Sequence, residues 1–288
     1  MKKILLTGII GCTLLFAVDV TPYAALISYD KQTDKKNAYI AGVYFSNFYK
    51  QYKIENDIEY LDLSYNTTSD YKEYHWTFVV NYFKGYDYKY KLGIHNIFSR
   101  TPNTYTYSVG TRTYKKTEYN NNYDFVLFGG IMFYKYLKYN YGVDFYYSNH
   151  SSTDVYQITP YYGFNFGDYY SNIGSFYFQT KFNYINLSDN AAPKKNYFNF
   201  DIKLQNFKGA WITTLKASLG KTAYKVADNG FVVYNLGEEY SSVYSIDIGK
   251  KLSKRNFISF SAGISNFTES NGKDGSSTLF SVSYTHNY

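Results

Sequence analysis

The sequence predicts an all-β chain closed on itself as one transmembrane antiparallel up-and-down barrel, with fourteen strands the favoured count and twelve or sixteen the alternatives. Three observations carry that expectation. Segment after segment alternates apolar and polar residues with period two, which gives a strand one oily face and one wet face. The 288 residues include 39 Tyr and 23 Phe, while Leu and Ala are scarce, a balance that favours strands over helices. A water-soluble sandwich would hide its large aromatics, yet here they recur in nearly every segment. Tyrosine has an apolar body and a wet hydroxyl, so aromatic girdles at two membrane interfaces are the natural use for so many. Finally, short and long connectors alternate along the chain. The modest mean hydropathy of −0.42 is no objection, because an alternating strand averages out.

The amino end reads as an export signal. Lys2 and Lys3 precede an uncharged run, residues 4–18, in which Leu15, Phe16 and Ala17 mark cleavage after Ala17; the run is too short to span a bilayer and Asp19 follows at once. A second reading takes Ile9, Ile10, Gly11 and Cys12 as a lipobox with Cys12 lipidated, although the residues after Cys12 stay apolar. Either way the chain leaves the cytoplasm, and residues 18–288 form a single barrel domain. Cleavage lowers the formal charge from +7 to +5 by removing Lys2 and Lys3. It also removes the only cysteine, which excludes disulfides and thiolate-bound metals from the mature chain.

The strands follow in order. Residues 23–29, 39–49, 54–65 and 123–134 alternate weakly or on both sides. In 54–65 the apolar set changes parity between Tyr60 and Leu61, which is read as a bulge. Tyr74, Trp76, Phe78, Val80 and Tyr82 oppose His75, Thr77 and Asn81; Tyr86, Tyr88, Tyr90, Leu92, Ile94 and Phe98 oppose Lys89, Lys91, Gly93 and His95. Tyr139, Tyr141, Val143, Phe145 and Tyr147 alternate with Asn140, Gly142, Asp144, Tyr146 and Ser148. In residues 156–166 the Tyr, Ile and Phe positions oppose Gln157, Thr159, Gly163 and Asn165, with Pro160 expected at a bulge. Phe176, Phe178, Phe182 and Tyr184 oppose Gln179, Lys181 and Asn183; Phe198, Phe200, Ile202 and Leu204 oppose Asn199, Asp201, Lys203 and Gln205. Trp211, Leu215, Ala217 and Leu219 oppose Thr214, Lys216 and Ser218; Tyr244, Ile246 and Ile248 oppose Ser245, Asp247 and Gly249; Ile258, Phe260, Ala262 and Ile264 oppose Ser259, Ser261, Gly263 and Ser265.

Short connectors fall at 50–53, 84–86, 135–138, 167–173, 206–209 and 253–256, and longer polar ones at 31–37, 66–72, 99–122, 149–153, 188–195, 223–241 and 269–277. They alternate without a break, so both termini lie at the short-turn end. Tyr105, Tyr107 and Val109 alternate inside the third long loop and are taken as a strand extension above the membrane. Residues 231–236 would raise the count to sixteen if they entered the wall.

The last stretch, 279–288, sets Phe280, Val282 and Tyr284 against Ser281, Ser283 and Thr285 and ends on Tyr288. This resembles the terminal strand of bacterial outer-membrane β-barrel proteins, porin-like with no narrower family indicated. The resemblance implies that Phe280, Val282, Tyr284 and Tyr288 form the signal read by the outer-membrane assembly machinery; His286 stands where an apolar residue would be expected. Residues His150, Ser151 and Ser152 at a long-loop strand end resemble the outer-membrane phospholipases, which would make catalysis a remote alternative. That family continues with Asn-Gly after the serine, whereas Thr153 and Asp154 follow here.

No enzyme, cofactor or metal is expected, because the four histidines are scattered without ligand spacing. The basic balance does not indicate nucleic acid, since lysines stand singly among tyrosines. The residues expected to face the lumen are Glu55, Asp57, Glu59, Lys89, Lys91, His95, Asp144, Lys181, Asp201, Lys203, Lys216 and Asp247, since charge facing lipid costs about 2–4 kcal/mol for Lys near the midplane. Near balance between signs predicts weak ion selectivity, unless local grouping creates a transverse field. Barrels of about this size lie between side-chain-filled ones and the wide porins. With small polar inward residues, the expected role is a passive pore for small hydrophilic solutes in contact with outer-membrane lipid. Fourteen-stranded barrels that the chain resembles include a monomeric porin type and the long-chain fatty-acid transporters, whose N-terminal plug has no room here between Ala17 and the first strand. The competing role is a surface barrel whose long loops, 99–122 and 223–241, bind a partner while the lumen stays closed.

Overall fold

The computed structural model describes residues 19–66, 70–109, 112–136 and 138–288, and the side chains of all of these except 103–117. The export signal at 1–17, and with it Cys12, lies outside the described residues. Alternating segments become strands β1 (Asp19–Tyr29), β2 (Lys35–Tyr49), β3 (Tyr52–Tyr65), β4 (Tyr71–Lys84), β5 (Tyr88–Val109), β6 (Arg112–Lys135), β7 (Tyr139–His150), β8 (Thr153–Gly167), β9 (Ser175–Leu187), β10 (Asn196–Lys208) and β11 (Trp211–Thr222). Then come the short β12 (Val226–Ala227) and β13 (Val232–Val233), and finally β14 (Glu239–Lys251), β15 (Asn256–Thr268) and β16 (Asp274–Asn287). Fourteen of them pair with their sequence neighbours in one closed antiparallel barrel, and β12 with β13 make a separate two-stranded sheet. The barrel closes where β16 meets β1, from Asp19 opposite Asn287 to Tyr29 opposite Ser277.

The outward face carries two aromatic rings. Toward the short turns, Tyr52 packs on Tyr82 (5.1 Å between centroids), Phe133 on Tyr141 (5.3 Å) and Phe166 on Phe176 (5.2 Å). Toward the long loops, Tyr60 packs on Tyr74 (5.1 Å), Phe98 on Tyr123 (4.9 Å) and Tyr184 on Phe198 (5.2 Å). Each pair sits directly opposite across neighbouring strands, where cross-strand aromatic contacts stabilise a sheet. From Tyr88 to Phe98 a strand rises about 33 Å, or about 25 Å at a tilt near 40°. Between the rings the exposed side chains are apolar, among them Leu92, Leu127, Phe145, Phe200, Leu215, Phe260 and Val282.

Two expected bulges are absent. Pairing runs in unbroken register through Tyr60 and Leu61 on both sides of β3. The parity change has another origin: toward the long loops the outer face turns polar, with Tyr60 donating to Asp62 (2.9 Å) and Lys72 beside Asp62 (3.4 Å), while Leu63 is buried inside. Beyond a membrane's edge, water takes the outer face and the lumen becomes the drier side. Likewise Pro160 lies opposite Val143 in regular register, and pairing to β9 omits Thr159 and Pro160 but resumes in the same register. Pro160 is exposed on the outer face, where its missing N–H interrupts one ladder without adding a residue.

The segment 99–122 is largely strand. Pairing of β5 with β4 ends at Arg100, and pairing of β6 with β7 ends at Phe125, so residues 101–109 and 112–120 pair only with each other as a ribbon. The segment 223–241 departs furthest from expectation. Instead of projecting outward or entering the wall, it carries β12, a 3-10 turn at Asp228–Gly230 and β13, and folds down into the lumen.

Candidate functional site

The hairpin of residues 223–238 is anchored in the lumen by both kinds of force. At its root Ala223 and Tyr224 are buried with Val155, Ile185, Leu187 and Tyr197. Deeper, Val226, Phe231 and Val233 pack on Val79, Val126, Phe128 and Tyr146, an apolar cluster inside the barrel. Gln157 serves as a surrogate strand for the hairpin: its Nε2 donates to the Val226 carbonyl and its Oε1 accepts from the Val226 N–H, both at 2.9 Å. Lys225 donates to Asp201 (2.5 Å), Asn199 (2.7 Å) and Ser218 (2.9 Å). Asn235 donates to Glu73 (2.5 Å), and Lys35 pairs with Glu238. The tip needs its glycine, since Gly230 has φ +97° and a Cβ there would lie 2.2 Å from the Phe128 ring.

The residues expected in the lumen sit on the inner face, and most are engaged. Lys91 and Asp144, 7 % and 2 % exposed, form an ion pair at 2.9 Å. Gly130 makes room for that pair, since a Cβ there would sit 2.0 Å from Asp144 Oδ1. Glu55 accepts from the Tyr44 hydroxyl, from Lys53 (2.7 Å) and from Asn81 (2.5 Å). The Tyr23 hydroxyl lies 2.9 Å from Asp57 and 2.8 Å from Glu59. Lys216 is 3.6 Å from both Asp247 and Asp228, and Asp201 is held by Lys225. Lys181 and Lys203 rest near the Tyr161 and Tyr177 rings at 5.8 and 4.9 Å, and Lys89 is half-buried beside them.

His95 joins a chain of contacts not foreseen from histidine spacing. Its Nδ1 lies 2.7 Å from Thr77 Oγ1 and its Nε2 3.0 Å from His75 Nδ1, while His75 Nε2 lies 3.0 Å from Glu73. Through Glu73 the chain reaches Asn235 of the hairpin. The signal was available in the hairpin register, because Lys84 opposite Tyr88 puts Thr77 opposite His95 and His75 diagonal to it.

The opposite side of the lumen is open. A cavity of about 570 Å³ lies beside the hairpin, lined on β14–β16 by Ser245, Ser261, Gly263, Ser265 and Ser281, on β1 by Tyr23, Ala25 and Ile27, and at its edge by Lys181, Lys203 and Lys216 of β9–β11. Toward the long loops its lining turns aromatic, with Tyr29, Phe231, Tyr234 and Tyr240. On the outside of this wall Phe280, Val282, Tyr284 and Tyr288 are exposed. His286 shares their parity, and it bonds Asn256 (2.8 Å) and meets Tyr288 edge-to-face at 4.6 Å.

No serine triad is assembled at the His150 corner. His150 Nδ1 lies 3.2 Å from Asp124, but Ser152 Oγ lies 3.2 Å from the Tyr224 hydroxyl, and His150 Nε2 has no hydrogen-bond partner.

This architecture is shared with solved barrels. The chain is similar to the Ralstonia pickettii toluene transporter TbuX (TM-score 0.59, 6% identity, covering 95% of this chain and 90% of that one). It is also similar to the Pseudomonas putida toluene transporter TodX (0.57, 6%, 94% and 90%) and to the CymD monoaromatic hydrocarbon channel (0.54, 8%, 95% and 89%). At such identities the likeness is one of fold. No protein-family model matches the chain, and no curated protein matches it.

Proposed function

We propose that this chain is an outer-membrane channel through which small hydrophilic solutes pass passively. The carrying observation is the cavity of about 570 Å³ left beside the inward hairpin, walled by small hydroxyl and glycine positions of β14–β16. Serine and glycine offer hydration without bulk, the lining a wet path requires. Lipid contact is supported by the belt of exposed apolar side chains between two aromatic rings. Delivery rests on the export signal at 1–17 and on recognition of Phe280, Val282, Tyr284 and Tyr288 by the assembly machinery. The competing partner-binding role retains the ribbon of 101–109 and 112–120 as its surface, whereas the loop 223–241 is committed to the lumen.

The test is a planar bilayer with purified mature chain. Steady single channels support the reading, and a barrel that inserts without conducting contradicts it. A second reading, passage of small aromatic solutes, is favoured by the ring of Tyr29, Phe231, Tyr234 and Tyr240 at the cavity's upper end. It is also in keeping with the similar barrels, two toluene transporters and a monoaromatic hydrocarbon channel. Liposome uptake of a sugar against toluene separates the two.

A further inference from the structure

The near balance of lumenal charges along the strands breaks down locally once partners are assigned. Asp144 is taken by Lys91, Glu55 by Lys53 and Asp201 by Lys225. Among the described residues, Lys89, Lys181 and Lys203 have no carboxylate within ion-pair distance, although all three are lumenal. They also crowd one another. Lys203 lies directly opposite Lys216 across β10 and β11, and it is diagonal to Lys181, which lies opposite Asp201. Like charges directly opposite one another destabilise a sheet, so this wall bears a cost that packing does not explain.

One group faces that cluster from the hairpin. Asp228, at the tip, reaches to 3.6 Å from Lys216 and lies within electrostatic range of Lys181, Lys203 and Lys225 as well. It gets there on a strained backbone: Asp228 and Asn229 both take left-handed conformations, φ 44° and 62°, each at a cost of about 1 kcal/mol or more for a residue with a Cβ. A tethered carboxylate thus already occupies a pocket walled by lysines.

We propose that Lys181, Lys203 and Lys216, with Lys89 facing them, form a binding site for small oxyanions, carboxylate or phosphate, inside the lumen, and that Asp228 is its built-in competitor. A solute anion entering beside the hairpin displaces Asp228 from the amines, binds in its place and moves on. The four lysines are only partly buried, which suits a transit site: binding favours entry yet remains weak enough for release. This deepens the channel reading and rests on it for transport, but the binding site itself is testable without conduction.

The experiment has two arms on the full mature chain, with heat-modifiable migration as the check that each variant is folded. In detergent, inorganic phosphate and acetate are titrated by calorimetry into the wild type, D228N and the double variant K181Q/K203Q. The expected result is saturable binding of both anions, roughly tenfold tighter in D228N and roughly tenfold weaker in K181Q/K203Q. In bilayers, the reversal potential under a potassium chloride gradient should indicate anion preference that grows in D228N and falls in K181Q/K203Q. Folded D228N that binds neither anion overturns the site, even if channels are seen. Equal binding by the wild type and K181Q/K203Q overturns it too. Binding that follows the predicted order in a barrel that never conducts upholds the site and refutes the channel.

Discussion

The two sides of the lumen are built by different rules. Along β4 to β11 most of the inner face is packed like a protein core, with Val79, Val126, His95 and Asn183 almost completely buried and, among the described residues, its charges paired apart from Lys89 and from Lys181 and Lys203 at the cavity's edge. Along β14, β15 and β16 it is lined chiefly by small residues, Ser245, Ser261, Gly263, Ser265 and Ser281, that face the cavity. The difference follows from where the hairpin is fastened. Its main anchors, Glu73, Gln157, Asn199, Asp201 and Ser218, lie on β4, β8, β10 and β11, so it fills that side and leaves the other free. An alternating barrel of this size can therefore hold a core and an open cavity side by side.

Removing the hairpin should abolish the asymmetry. Replacing residues 225–236 with a short Gly-Ser linker is expected to raise single-channel conductance roughly threefold, as the open cross-section grows, and to lower the melting temperature. An unchanged conductance would place the conducting path outside the lumen. Deleting residues 284–288 attacks the seam between β16 and β1. We expect the exported chain to accumulate in the periplasm, read as loss of heat-modifiable barrel from outer-membrane fractions; undiminished barrel would show that Tyr284 and Tyr288 are not the assembly signal.

Point substitutions sharpen the contrast. K91A leaves Asp144 buried without its cation, and breaking such a pair costs about 3–5 kcal/mol. S261A on the sparse wall should change stability by no more than about 0.5 kcal/mol. Urea titrations of the two variants in detergent give the comparison, and equal midpoints would mean that the packed side is not a core.

Much of this was legible from period two. The antiparallel order and the parity of Lys91, Asp144, Asp201 and Ser261 follow from it, because one shift of register would turn charge toward the apolar belt, and the strand count follows from the alternation of short and long connectors. The course of 223–241 was not legible from loop length. Its signal was Val226, Phe231, Val232, Val233 and Leu236, too apolar for a loop in water, but the same residues also fit a strand in the wall. Alternation gives direction within a strand and says nothing about which way a loop folds. The apparent bulge at Tyr60 failed for a related reason, since polarity there reports the change from lipid to water and not a change of register.

The smallest effect belongs to the long-loop end of the seam. Desolvation is the largest single influence on Asp30 and raises its pKa, but the Ser276 N–H at 2.8 Å, the Gln32 N–H and the Ser276 hydroxyl together outweigh it and hold the pKa below the ordinary 3.8. A depressed carboxylate stabilises the fold above its unfolded pKa, and that contribution is lost as pH falls through the folded value. Stability should thus dip slightly below pH of about 4 in the wild type, and the dip should be smaller in D30N. Identical acid profiles would show that Asp30 does not tie β1 to β16.

A solute that passes along the serine wall of β14–β16 needs that wall to be reachable from water in the lumen. Once residues 1–17 are removed the chain has no thiol, so S261C and F260C place single cysteines on opposite faces of one strand. With a bulky, charged, membrane-impermeant thiol reagent added during single-channel recording, S261C should show an irreversible stepwise drop in conductance and F260C none. A drop in F260C with S261C unaffected, or no drop in either while S261C is demonstrably labelled, would contradict the account.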